Sequence, residues 1–174
     1  MNIGDIISSF DLPSVDGQNY ANNYFDDTQC SLIIFGCNHC PYVVANHQRI
    51  NDLYTNFSNE SFKMAMISSN DVIKYPQDSF ENMKNLSQQL NLKFPYLFDE
   101  TQEIAKAFGA ERTPETLLFD ANQQLVYHGA IDDNCMESKS VNEKYVENAI
   151  EAVLNGQNIA NNNTQAAGCS IKWK

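Results

Sequence analysis

Leu32-Ile33-Ile34-Phe35-Gly36-Cys37-Asn38-His39-Cys40-Pro41-Tyr42-Val43 is the stretch whose reading decides the fold. Its first four residues are an unbroken apolar run, too short for a buried helix and rich in isoleucine, so they read as a fully buried strand. Pro41 announces the next element. Proline suits the first helical residue, where its missing N–H costs nothing and its fixed φ matches the helix. From there Val43, Val44, His47, Ile50, Leu53, Tyr54 and Phe57 step by three or four residues along one face. A buried strand, a tight loop with two cysteines and a helix starting at Pro41 follow one another directly.

That helix start makes Cys40 the N-cap and leaves Cys37 one loop turn upstream. The first turn of a helix offers unpaired backbone N–H groups and the positive dipole end, and both favour a thiolate. Thiols in such settings fall from about 8.5 into a range of roughly 3.5 to 7.5, and the thiolate attacks disulfides or peroxides. The spacing therefore selects Cys40 as nucleophile over the usual order, in which the first cysteine of the pair attacks and the second resolves. His39, beside Cys40, is placed to stabilise the thiolate as a donor. His47, on the apolar helix face, reads as a satisfied core histidine, and His128 as a surface residue.

Outward from this stretch, Asp16-Gly17 marks a hairpin-like turn in an N-terminal arm, and residues 62–67 form a second strand. Ser79 is placed to cap a helix carrying Phe80, Met83, Leu86 and Leu90. Residues 94–98 read as an edge strand because Pro95 cannot donate to a ladder. A short helix from Thr101 closed by Gly109, a hairpin of residues 115–119 and 125–127, and a last helix over 141–154 complete the order. A strand-helix-strand unit pairs its strands in parallel, and a later hairpin adds antiparallel strands to the same sheet. The expectation is an α/β thioredoxin-like fold: a central mixed sheet flanked by helices, with an N-terminal extension and an inserted helix-containing segment. Residues 1–157 form that domain, and the Asn-rich residues 158–174 a flexible linker and tail carrying Cys169 and Trp173.

The 174 residues suit one domain, and 43% hydrophobic with 19% charged residues suits a globular chain. With 22 acidic and 11 basic residues the net charge is -11, which repels nucleic-acid backbones and anionic lipid and excludes those partners. No apolar run approaches the roughly 18 residues of a membrane span, and no basic, then apolar, leader opens the chain. The expected location is the cytoplasm, where five irregularly spaced cysteines are core residues or reactive thiols rather than a disulfide framework. Zinc needs four ligands, and Cys37, His39 and Cys40 are too crowded to supply three, so neither metal nor cofactor is expected.

Counted from Phe35, Cys40 resembles the first, nucleophilic cysteine of thioredoxin-like proteins, and Cys40-Pro41-Tyr42-Val43 resembles a glutaredoxin Cys-Pro-Tyr-Cys whose second cysteine is valine. The run from Cys37 to Val43 is similar to a peroxiredoxin-like subgroup of the alkyl-hydroperoxide-reductase/thiol-specific-antioxidant (redoxin) family. The likeness continues in Tyr75-Pro76-Gln77-Asp78-Ser79, Thr113-Pro114, Ile131-Asp132-Asp133 and the ending from Gly168 to Trp173. It implies a cis proline at Pro114, beside which a disulfide substrate lies, so Thr113, Pro114, Pro41 and Arg112 are the expected substrate-side residues. Arg112 is also the candidate cation near the thiolate. No threonine stands where peroxiredoxins carry one before the reactive cysteine, and Ile34 replaces the buried carboxylate of thioredoxins.

The function these residues support is a thiol-disulfide oxidoreductase. A thiol peroxidase of the same fold and a non-catalytic binding module are the alternatives. The partners implied are a disulfide-bearing protein, a small disulfide or a hydroperoxide, together with an external thiol reductant. Cys37 and Cys169 are both candidates for the thiol that resolves Cys40, the second resembling the resolving arm of some peroxiredoxins.

Overall fold

A computed structural model describes residues 1–58 and 61–174. An N-terminal hairpin, β1 (Asp11–Pro13) and β2 (Asn19–Ala21), precedes the buried strand β3 (Cys30–Phe35). Helix α1 (Pro41–Phe57) follows, then β4 (Phe62–Ser68), α2 (Phe80–Leu90), β5 (Tyr96–Phe98) and α3 (Glu103–Phe108). The chain continues through β6 (Arg112–Thr113), β7 (Glu115–Asp120), β8 (Leu125–Gly129), α4 (Tyr145–Leu154) and β9 (Cys169–Ser170). The main sheet runs β5-β4-β3-β7-β8. β3 is parallel to β4 and antiparallel to β7, so the sheet is mixed and the fold is thioredoxin-like, with β5 at the expected edge.

Alternate residues of β3 supply two cores. Leu32 and Ile34 pack with Ile50 and Leu53 of α1, Met83 of α2 and Val146, Ala149 and Ile150 of α4. Ile33 and Phe35 pack on the other face with Phe10, Phe25, Ala105, Phe108 and, from the tail, Ile171. Burial of each such side chain stabilises the fold by about 1.5 to 3 kcal/mol, which is why the period-two alternation fixes the register of β3.

Several local expectations are corrected. Val44 is exposed, and α1 buries Val43, Asn46, Ile50 and Leu53 instead. His47 is half-buried, but its Nε2 has no protein partner, and burial lowers its pKa. Helix α4 starts at Tyr145 rather than Val141, because Asp133 ties up the residues between: Asn142 N donates to its Oδ1 at 2.9 Å and its own N–H donates to Glu143 O at 3.0 Å. His128 is no free surface residue, since its Nε2 lies 2.6 Å from Glu115 Oε1.

Residues 162–172 lie along the domain. His128 N donates to Asn162 O, and Thr164 N to His128 O, both at 3.0 Å. Thr164 Oγ1 accepts from Ala130 N at 2.9 Å and bonds the Tyr127 hydroxyl at 2.7 Å. The chain then crosses to β6, where β9 pairs with it antiparallel.

Candidate active site

The register of the sheet gathers the site. Phe35 pairs with Ile67 on one side and with Glu115 on the other, so the loop after β3, the loop after β4 and the segment before β7 emerge at one end of the sheet. That end holds Cys37, His39, Cys40, Asn70, Asp78 and Thr113. The Thr113–Pro114 bond is cis, and Pro41 is in the first turn of α1 with Cys40 as extended N-cap. The cysteines sit where the sequence places them.

Cys40 is 0% exposed and Cys37 1% exposed. In its thiol form Cys40 donates to Thr113 O at 3.1 Å, and Cys37 Sγ lies 3.7 Å from Thr113 Oγ1. The two thiols also meet each other. A hydrogen bond from Cys37 holds the Cys40 thiol well below the ordinary thiol range, with smaller help from Thr113, Cys169 and the Val43 N–H. The same bond, then burial and the charge of Asp78, push Cys37 well above it. Cys169 is half-buried against this pair, and burial followed by its contact with Cys40 raises its pKa.

Asp78 is the residue that sequence reasoning missed. It is 0% exposed and accepts four hydrogen bonds: Asn38 N at 2.8 Å, His39 N at 3.2 Å, His39 Nδ1 at 2.6 Å and Asn70 Nδ2 at 2.7 Å. The carboxylate thus ties down both residues between the cysteines. His39 bonds Asp78 and stacks on Tyr75 at a ring separation of 5.6 Å and 7° between planes. The only sequence signal for Asp78 was its place in the Tyr75 to Ser79 segment. Cys37, His39 and Asp78 bring donor atoms within 4.8 Å of one another, but these donors are already engaged in hydrogen bonds within the loop.

Arg112 is exposed, and its Nη1 donates to Gly168 O at 3.1 Å. The bond it makes is to the tail, not to the thiolate for which it was the candidate cation. Cys30 is fully buried in the core, and Cys135 is half-buried in a loop where its carbonyl accepts from Asn46 and Arg49.

A family model described as Redoxin matches residues 2–146. The chain belongs to the Redoxin family. No curated protein matches this redoxin. Among solved structures it is similar to an uncharacterized conserved protein from Geobacillus kaustophilus, at 35% identity and a TM-score of 0.94 over 99% of this chain and 93% of the other. A hypothetical protein from Sinorhizobium meliloti 1021 shares 31% identity and a TM-score of 0.94 over 100% and 96% of the two chains. The thioredoxin domain of a thiol-disulfide oxidoreductase from Bacteroides vulgatus shares the fold, with 14% identity and a TM-score of 0.63 over 74% and 88%. Redox chemistry at a thiol is therefore the general function of this redoxin. No helix among the described residues is long and apolar enough to cross a membrane.

Proposed function

We propose that this redoxin is a thiol-disulfide oxidoreductase with Cys40 as nucleophile. The observation that carries the reading is the place of Cys40 as the extended N-cap of α1, buried against Cys37 with its sulfur 3.1 Å from Thr113 O beside the cis proline, where the helix start favours the thiolate. The Cys40 thiolate attacks one sulfur of a disulfide, forming a mixed disulfide and releasing the other half as a thiolate. Cys37 or Cys169, once deprotonated, attacks the Cys40 sulfur, expels the second half as a thiolate and leaves an internal disulfide. An external dithiol then reduces that bond and is itself oxidised.

Thr113 and Pro114 flank the sulfur on the substrate side, with Pro41 opening the helix behind it. His39, held by Asp78, serves as the positioning residue of the loop. A reducing cytoplasm goes with this reading, because five irregularly spaced cysteines are unlike a disulfide framework. The partners are a disulfide and a thiol reductant, without nucleic acid or membrane.

A thiol peroxidase is the second reading, favoured by Cys169 lying against a fully buried Cys40. There the thiolate would take one oxygen of a hydroperoxide to give a sulfenic acid and an alcohol, and Cys169 would condense with it and release water. It ranks second because Arg112 is engaged with Gly168.

Turnover of hydroxyethyl disulfide and of hydrogen peroxide, each with dithiothreitol as reductant, separates the readings. The expected result is disulfide turnover that Cys40→Ser abolishes, while Cys37→Ser retains attack and Cys37→Ser/Cys169→Ser accumulates a mixed disulfide seen by intact mass. Equal loss of initial attack in Cys37→Ser would overturn the assignment of Cys40. Peroxide turnover alone would select the second reading, and turnover of neither substrate would leave a binding module.

A further inference from the structure

The short strand β6 has one ladder partner, and that partner is the chain's own tail. Thr113 pairs with Cys169 and Arg112 with Ser170, antiparallel. Ile171 N donates to Glu111 O at 2.8 Å and Arg112 Nη1 to Gly168 O at 3.1 Å. Further along, Lys172 N donates to Asn70 Oδ1 at 2.8 Å, while Lys172 O accepts from Asp71 N at 2.7 Å and from Gln102 Nε2 at 2.8 Å. Ile171 is 3% exposed in the core. Gly168 is required for this approach, since a Cβ there would lie 2.2 Å from Thr113 O. With the tail in place the nucleophile has no exposed surface.

We propose that residues 168–172 are a built-in competitor of a polypeptide substrate: they occupy the Arg112–Thr113 edge, and a protein disulfide reaches Cys40 only when they leave it. The inference rests on the disulfide-exchange reading. An extended polypeptide placing its cysteine at Cys40 gains its affinity from backbone pairing with an exposed strand edge, and β9 already holds that ladder. A small disulfide has no backbone to pair, so it needs only the contact of Cys169 with Cys40 to open and not the whole β6 edge. The resident segment also describes the polypeptide that fits best. It has a residue without a side chain just before its cysteine, where Thr113 O allows no Cβ, and a branched apolar residue two positions after, where Ile171 is buried.

The test compares full-length wild type and Gly168→Ala in the reduction of insulin, a polypeptide disulfide, and of hydroxyethyl disulfide. Loss of even one tail hydrogen bond should raise the ratio of insulin to small-disulfide rates about fivefold or more. An unchanged or lower ratio, with the small disulfide still turned over, overturns the competitor role and leaves the oxidoreductase reading standing. Turnover of neither substrate by wild type removes that reading and the competitor role with it. A second measurement does not depend on the glycine variant. In Cys37→Ser/Cys169→Ser, a peptide containing Gly-Cys-Ser-Ile-Lys is trapped on Cys40 as a mixed disulfide, and amide hydrogen exchange is followed. Loss of protection at Ile171 and Lys172 on trapping is expected, and retained protection overturns the proposal.

Discussion

Cys37 and Cys40 pack against each other beside Thr113, and this contact sends the acidities of the two thiols in opposite directions. The pair therefore shares one proton over the range in which an isolated thiol would still be fully protonated.

An ultraviolet thiolate titration should show one thiolate forming below the ordinary value of 9.0. Cys40→Ser should remove this step, and Cys37→Ala, which takes away the neighbouring thiol, should move it upward. Stability follows by linkage. Between the folded value of Cys40 and 9.0 the native state holds fewer protons than the unfolded chain, so this contribution grows with pH and is lost as pH falls through the folded value. Cys37, raised when folded, acts in the opposite sense, and its contribution is lost as pH climbs above 9.0. Denaturant melts of wild type and Cys40→Ser across this range check both signs.

Removing Asp78 should loosen the active-site loop more than any surface change. Asp78→Ala leaves Asn70 and the N–H groups of Asn38 and His39 without their acceptor, at about 1 to 3 kcal/mol for each donor that stays buried. Urea unfolding should show a clear drop in midpoint, and the Cys37–Cys40 loop should lose amide protection. A midpoint unchanged from wild type would show that the loop holds without the carboxylate.

Mild oxidation with diamide should yield an internal disulfide that contains Cys40. Peptide mapping of Cys37→Ser should then find Cys40 joined to Cys169, because those two thiols already touch. Cys30, fully buried in the other core, should stay reduced in both samples.

Arg49→Ala should destabilise the fold by about 3 kcal/mol or more. The guanidinium pairs with Asp132, whose side chain is 3% exposed, and also donates to Asn134 O at 2.8 Å. Removing the cation strands a buried carboxylate, the costly way to break such a pair. Chemical denaturation of the variant checks the figure.

The active-site stretch was legible because its signals are local. A short apolar run, Pro41 and the three-and-four spacing of the helix place β3, α1 and both cysteines, and Ser79 caps α2 as its position suggests, accepting from Asn82 N at 3.3 Å. What stayed illegible depends on partners distant in the chain. Asp78 meets Asn38 and His39 only after β3 and β4 align in parallel. His128 reads as surface until β7 brings Glu115, two residues before its register partner Leu117, within 2.6 Å of it. The residues 158–164 look unstructured because they are polar, yet the main chain of Asn162 and Thr164 pairs with His128 of β8 and the Thr164 hydroxyl accepts from Ala130 N just beyond it. Arg112 shows the same limit, since its neighbour Gly168 lies far along the sequence.

The segment of residues 162–164 along β8 has a counterpart at the opposite side of the sheet. There Ser14 bridges to Leu97, and Val15 N donates to Tyr96 O at 3.1 Å, so the hairpin near one end of the chain lies over β5. Both outer strands, which would otherwise offer unpaired N–H and C=O groups to a second molecule, are partly screened by these two segments. Deleting residues 14–15 or 162–164 would uncover a template for strand-to-strand association at that side of the sheet.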